Sequence, residues 1–187
     1  MGAGGALREI TIDATERDQR HREPSNLMPD NGAATSAWAH DLAARIAAQQ
    51  ATQHVAIFVP DDDGDGLRLI AQVWGAGEDI GAVIVGDWTV PLEGSVCGRV
   101  YRTGLAALCA DVAMDPDHRS FPGSRTRSSL TVPIGPPDGV VGVINVEAPW
   151  VGAFSIQDYE RVTDAAAAAF DTYPIRGISA GAGSAIC

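Results

Sequence analysis

The chain has 187 residues, enough for one domain with tails, and its 45% apolar content can supply a single core. Its 24 acidic and 13 basic residues give a net charge of −11, which excludes a phosphate-neutralising nucleic-acid surface and a dock for anionic lipid. All the basic residues are Arg and none is Lys, so a lysine Schiff base and a P-loop lysine are excluded as well. The odd cysteine set, Cys97, Cys109 and Cys187, has no CxxC spacing, which rules out a zinc ribbon or a disulfide framework. No signal peptide and no run of about 18 apolar residues is seen, so the expectation is a cytoplasmic protein without a membrane helix.

Residues 1–34 are polar and broken by Pro24, Pro29 and Gly32, and read as a disordered N-terminal arm. The domain is expected over 35–174, with 175–187 as a flexible C-terminal tail. Ser36 precedes Trp38, Leu42 and Ile46, which share one helical face. Val55 to Val59 and Leu67 to Trp74 flank an Asp/Gly turn and read as a hairpin. Within that turn Asp61, Asp63, Asp65 and Gly66 match the start of an EF-hand calcium loop. Position 12, however, is Gln72 rather than Glu and the flanks are strands, so the turn reads as a solvated acidic tip with no metal.

Ala82 to Pro91 predicts one or two strands, Ser95 to Arg102 a short helix and Ala107 to Ala110 a short strand. Ser129 to Ile134 and Val140 to Glu147 flank Gly135-Pro-Pro-Asp-Gly139 and predict a second hairpin. Ser155 and Asp158 form a capping-box pair, with Phe154 placed to staple onto Tyr159. The stripe Tyr159, Val162, Ala166, Phe170 and Tyr173 then predicts a helix over 156–172, stopped by Pro174. The pattern is α+β, an antiparallel sheet with the terminal helices on one face.

The run from Pro91 to Gly104, with Gly94, Ser95, Cys97 and Gly98, is followed by Asp111-Val-Ala-Met-Asp-Pro116 and by Arg127-Ser-Ser-Leu-Thr-Val-Pro-Ile134. Gly139-Val-Val-Gly-Val-Ile-Asn-Val-Glu147 and Phe154-Ser-x-x-Asp158 complete it. In this order and spacing the blocks resemble the GAF domain family of small-molecule sensors over roughly residues 37–172. The resemblance implies a six-stranded antiparallel sheet, N- and C-terminal helices on one face, and on the other a ligand pocket lidded by the segment after the third strand. It also implies a homodimer paired through the terminal helices, for which the Ala165–Ala169 run is suited.

Ser95-Val-Cys-Gly98 is similar to the Gly-Val-Cys-Gly block of the free methionine-(R)-sulfoxide reductases within that family. Those enzymes attack the sulfoxide with a lid cysteine, and here the lid Ala113 to Thr126 has none. A reductase would have to use Cys97 and Cys109 as its thiol pair. Otherwise Cys97 is a small buried hydrophobe on the short helix. The cyclic-nucleotide-binding set of phosphodiesterase members is incomplete, since Val146 stands where they carry Lys. The lid cysteine that holds a bilin is also missing. His118 in the lid is conceivable as a haem ligand, but a lone His in a polar loop reads as solvated. The sequence therefore names no cofactor.

Arg119, Arg125 and Arg127 cluster in the lid of an otherwise acidic chain. Guanidinium forks bind carboxylate or phosphate, so an anionic ligand group is expected, unless the arginines instead pair with Asp111, Asp115 and Asp117. The expected ligand-binding set is Trp74 or Trp88 as a wall, Asp111 fixing an arginine, His118, Arg119 and Arg127 on the lid, and the hydroxyl of Ser128. The first expectation is a non-enzymatic sensor without its own output domain, acting through a protein partner or a homodimer. The alternatives are the reductase and a ligand-free GAF dimerisation scaffold.

Overall fold

The computed structural model describes residues 31–49, 54–74, 88–120 and 123–174. In chain order they form α1 (Asn31–Gln49), β1 (His54–Pro60), β2 (Gly66–Trp74), β3 (Thr89–Pro91), α2 (Val96–Thr103) and β4 (Ala107–Cys109). A 3-10 turn at Val112–Met114 leads to β5 (Ser128–Ile134), β6 (Gly142–Ala148) and α3 (Ile156–Asp171). The six strands form one sheet in the order β3-β2-β1-β6-β5-β4, and every neighbouring pair is antiparallel. Among the described residues no helix is long and apolar enough to cross a membrane.

Strands β1 and β6 are buried along nearly their whole length, so both sheet faces are covered. The period-2 alternation of strands sorts the side chains. Val55, Ile57, Val59, Leu130, Val132, Ile134, Ile144 and Val146 face one core. That core is closed by Leu42 and Ile46 of α1 and by Val162, Ala166 and Ala169 of α3. Ala56, Phe58, Leu67, Leu69, Val90 and Val143 belong to a second core, which packs on Val96, Cys97 and Val100 of α2. The terminal helices thus share one face, as the sequence pattern predicts, and α2 takes the other.

The local signals act as expected at α3. Ser155 Oγ accepts from the Asp158 N–H at 3.3 Å, and the Asp158 carboxylate accepts from the Ser155 N–H at 2.7 Å, which closes the capping box. Helix α2 opens on Ser95, whose hydroxyl accepts from the Gly98 N–H at 2.9 Å. Gly98 lies so close to Leu92 that a Cβ there would collide with the Leu92 carbonyl, which fixes how α2 sits on the chain before it.

One feature differs from the sequence reading and another is not anticipated by it. Helix α1 starts at Asn31 rather than near Ser36, because Ala33 and Ala34 are strong helix formers that continue its first turns. Trp38 packs edge-on against Tyr173 with ring centroids 5.1 Å apart, and its Nε1 donates to Thr172 Oγ1 at 3.3 Å. That contact joins the two terminal helices across the whole domain. The strand expected at 82–87, the rest of the arm before Asn31 and the tail from 175 lie outside the described residues.

Candidate functional site

On the α2 face the apolar alternation of the strands breaks. Register pairs place Trp74, His54, Glu147, Ser129 and Cys109 side by side across β2, β1, β6, β5 and β4. The neighbouring row carries Gln72, Ala56, Asn145 and Thr131. Most of these polar groups are sealed from solvent, so each must find a partner within the protein.

Glu147 is the hub of this network and is 2% exposed. Its Oε2 accepts from Thr126 Oγ1 at 2.7 Å and lies 3.3 Å from His54 Nδ1, while Oε1 accepts from Asn145 Nδ2 at 3.0 Å. Asn145 Oδ1 in turn accepts from Thr131 Oγ1 at 2.9 Å. Burial pushes the Glu147 carboxyl up, but the bond and charge of His54, with the bonds from Thr126 and Asn145, outweigh it. They hold the group below the ordinary glutamate range, and it is an anion. His54 stacks on Trp74 at 4.2 Å between ring centroids and 28° between planes, and its Nε2 lies 3.0 Å from Gln72 Oε1.

Ser129 is the exception to this pairing. It is 1% exposed and its hydroxyl has no hydrogen-bond partner among the described residues. It borders a cavity of about 20 Å³, room for roughly one water. The sheet contributes Ser129, Asn145 and Glu147 to this cavity, α2 contributes Cys97, and His118 and Arg119 come from the segment after the 3-10 turn.

The segment Val112–Ser120, which contains the 3-10 turn and contributes His118 and Arg119 to the cavity, forms the roof. The Val96 N–H donates to the Asp117 carbonyl at 3.0 Å. Arg99 of α2 holds two carboxylates, with Nη2 donating to Asp115 Oδ2 at 2.6 Å and Nη1 bonding Asp117 Oδ2. Arg119 Nε donates to the Gly94 carbonyl at 2.7 Å, and its terminal nitrogens have no acceptor among the described residues.

The family model of the GAF domain matches residues 39–170. This chain belongs to the GAF domain family. Several solved structures share its fold. One is the GAF domain of an Acinetobacter phosphoenolpyruvate-protein phosphotransferase, 17% identical with a TM-score of 0.63, covering 76% of this chain and 82% of that one. Another is a type II free methionine-R-sulfoxide reductase from Thermoplasma acidophilum, at 19% identity and TM-score 0.60, covering 76% and 94%. The GAF-B domain of DevS from Mycobacterium smegmatis matches at 17% identity and TM-score 0.58, covering 76% and 94%. No curated relative matches by sequence.

In this GAF domain the residues expected at a ligand site divide into two groups. Trp88, His118 and Arg119 border the cavity, and Trp74 lies on the same face through its stack on His54. Three others lie apart from it. Asp111 caps the 3-10 turn, accepting from the Ala113 N–H at 3.2 Å. Arg127 is 52% exposed and its guanidinium stands 3.5 Å from Asp111. Ser128 faces the terminal-helix side, where its hydroxyl donates to the Trp150 carbonyl at 2.8 Å, because adjacent residues on a strand point to opposite faces. The pairing of lid arginines with Asp115 and Asp117 is also corrected, since both carboxylates go to Arg99.

Cys97 borders the cavity as a buried thiol, and burial, reinforced by the charge of Glu147, pushes it up to about 12. Cys109 is half-buried at the sheet edge; burial and then Asp115 raise its thiol above the ordinary range. The sequence reading missed His54, Gln72, Ser129, Glu147 and Arg99. A signal for part of this set was present, because polar residues take alternate positions on the facing strands, Ser129 and Thr131 on β5 and Asn145 and Glu147 on β6.

Proposed function

We propose that this GAF domain is a non-enzymatic sensor that takes a small ligand between the polar row and the Val112–Ser120 roof. The observation that carries the reading is the orphaned hydroxyl of Ser129. A buried polar atom without a partner costs roughly 1–3 kcal/mol, and a ligand atom that bonds it recovers that cost. Glu147 and Asn145 border the same space, so the inner end of the ligand carries hydrogen-bond donors. Arg119, with its terminal nitrogens unengaged, supplies the cation for an anionic group at the outer end. Trp88 gives the wall. The signal passes to a protein partner or across a homodimer.

Thermal unfolding against a panel of metabolites tests the reading. A ligand at 100 times its dissociation constant adds about 2.7 kcal/mol. Arg119→Ala should then weaken it by about 1.5–3 kcal/mol, the range for a hydrogen bond to a charged group. A ligand whose affinity ignores Arg119 and Ser129 would refute the assignment.

The likeness in fold to the Thermoplasma acidophilum reductase favours a second reading, sulfoxide reduction by Cys97 with Cys109 resolving. Against it, a thiol pushed up to about 12 holds almost no thiolate at neutral pH, and thiolate is the nucleophile such chemistry needs. NADPH consumption with thioredoxin and free methionine sulfoxide, abolished by Cys97→Ser, would establish the reductase over the sensor.

A further inference from the structure

We propose that Arg99 is the latch of this site: its grip on Asp115 and Asp117 holds the roof shut, and releasing it admits the ligand. The inference rests on the reading that a ligand enters beneath the Val112–Ser120 roof. A space of about 20 Å³ takes one water, so any metabolite needs the roof or α2 to move. Helix α2 is the fixed partner. Val96, Cys97 and Val100 are buried in the second core, and Gly98 is wedged against Leu92. The roof is a short segment with Ala113, Met114 and Ser120 exposed, and Val112 is its buried apolar anchor. It is the part with less to lose by moving.

Among the described residues three ties fasten the roof to α2 and the chain just before it. Two are single bonds to the backbone, Val96 N–H to the Asp117 carbonyl and Arg119 Nε to the Gly94 carbonyl. The third is the Arg99 fork, which bonds both carboxylates of Asp115-Pro-Asp117 at once. Asp115 Oδ1 also accepts from the Asp117 N–H at 3.0 Å, which sets the two carboxylates for one guanidinium. The Arg99 side chain is 36% exposed, so ions and anionic ligands reach the latch from solvent.

Cys97 provides a reporter that needs no ligand. It borders the cavity beneath the roof and is 7% exposed. In the full chain carrying Cys109→Ser and Cys187→Ser, the rate at which a maleimide labels Cys97 measures roof opening. Arg99→Gln should raise that rate about tenfold, beyond any factor that its change in global unfolding explains. Asp117→Asn, which leaves the Asp115 contact, should give a smaller rise and decides the matter if Arg99→Gln does not fold. Raising salt to about 1 M, where the Debye length is roughly 3 Å, should speed labelling in the chain with Arg99 intact and leave Arg99→Gln unchanged. Equal rates in all three proteins, or a rise that only follows global unfolding, would overturn the latch. Because the assay uses no ligand, a latch that fails here is distinguishable from a sensor reading that fails in the metabolite panel.

Discussion

One sheet carries two faces, one apolar and one that sets a buried polar row beside a second apolar cluster. Towards α1 and α3 it presents Val, Ile and Leu from every second position, and the two helices answer with Leu, Ile, Val and Ala. Towards α2 and the roof, the same strands present His54, Gln72, Thr131, Asn145 and Glu147, joined by hydrogen bonds, together with Ser129, which has no partner among the described residues. The first face needs only volume and hydrophobicity, so its parts are replaceable. The second depends on each donor meeting its acceptor in a medium without water, so its parts are not. The contrast separates what makes this domain fold from what makes it selective.

The sharpest way to break the comparison is a conservative change on each face. Glu147→Gln keeps the shape but removes the anion from the buried His54–Glu147 pair and turns an amide towards Thr126 and His54. It should cost about 3–5 kcal/mol, the range for losing one partner of a buried pair, read from urea midpoints at neutral pH. Ile144→Val, one methylene fewer on the other face, should cost about 0.5–1.5 kcal/mol. Equal costs would erase the distinction.

Acid sharpens the same point. The folded value of Glu147 lies below its unfolded value of about 4.3. The stability it contributes is therefore complete above that pH and is lost as pH falls through the folded value. Asp115 and Asp158, also held low, act with the same sign. Below about pH 4.3 the native protein should lose stability more steeply than Glu147→Gln, and parallel curves would contradict the account.

Smaller effects follow from local structure. Ser155→Ala removes the capping box of α3 and should cost about 1 kcal/mol. Ser129→Ala should cost nothing and stabilise by up to about 1–3 kcal/mol, because it removes a buried hydroxyl that has no bond among the described residues. A loss of more than about 1 kcal/mol there would mean that the hydroxyl is bonded, and the case for a ligand would lose its main support.

The sequence made the first face more legible than the second. Helical stripes, strand alternation, both hairpins and the Ser155–Asp158 box are local periodicities, and they place α3 and the four long strands within a residue or two. The polar face depends on register. A single step along β5 separates Ser128, tied to Trp150 on the helix side, from Ser129 at the cavity. Sequence reasoning weighted the arginine cluster of the lid, yet Arg127 pairs with Asp111 on the surface while Arg99, sixteen residues before Asp115, holds the roof. Such pairings arise only once α2 has folded onto the sheet, and no local period reports them. The Trp38–Tyr173 contact was invisible for the same reason, since its two rings meet from opposite ends of the domain.

The most direct test of the account is an amide chemical-shift map of the domain titrated with the compounds of a metabolite panel. The account predicts a binder whose perturbations centre on Ser129, Asn145, Glu147 and the roof residues His118 and Arg119, and which binds more weakly to Arg119→Ala. Saturable binding with its perturbations on the terminal-helix face, and with the polar row unmoved, would contradict it.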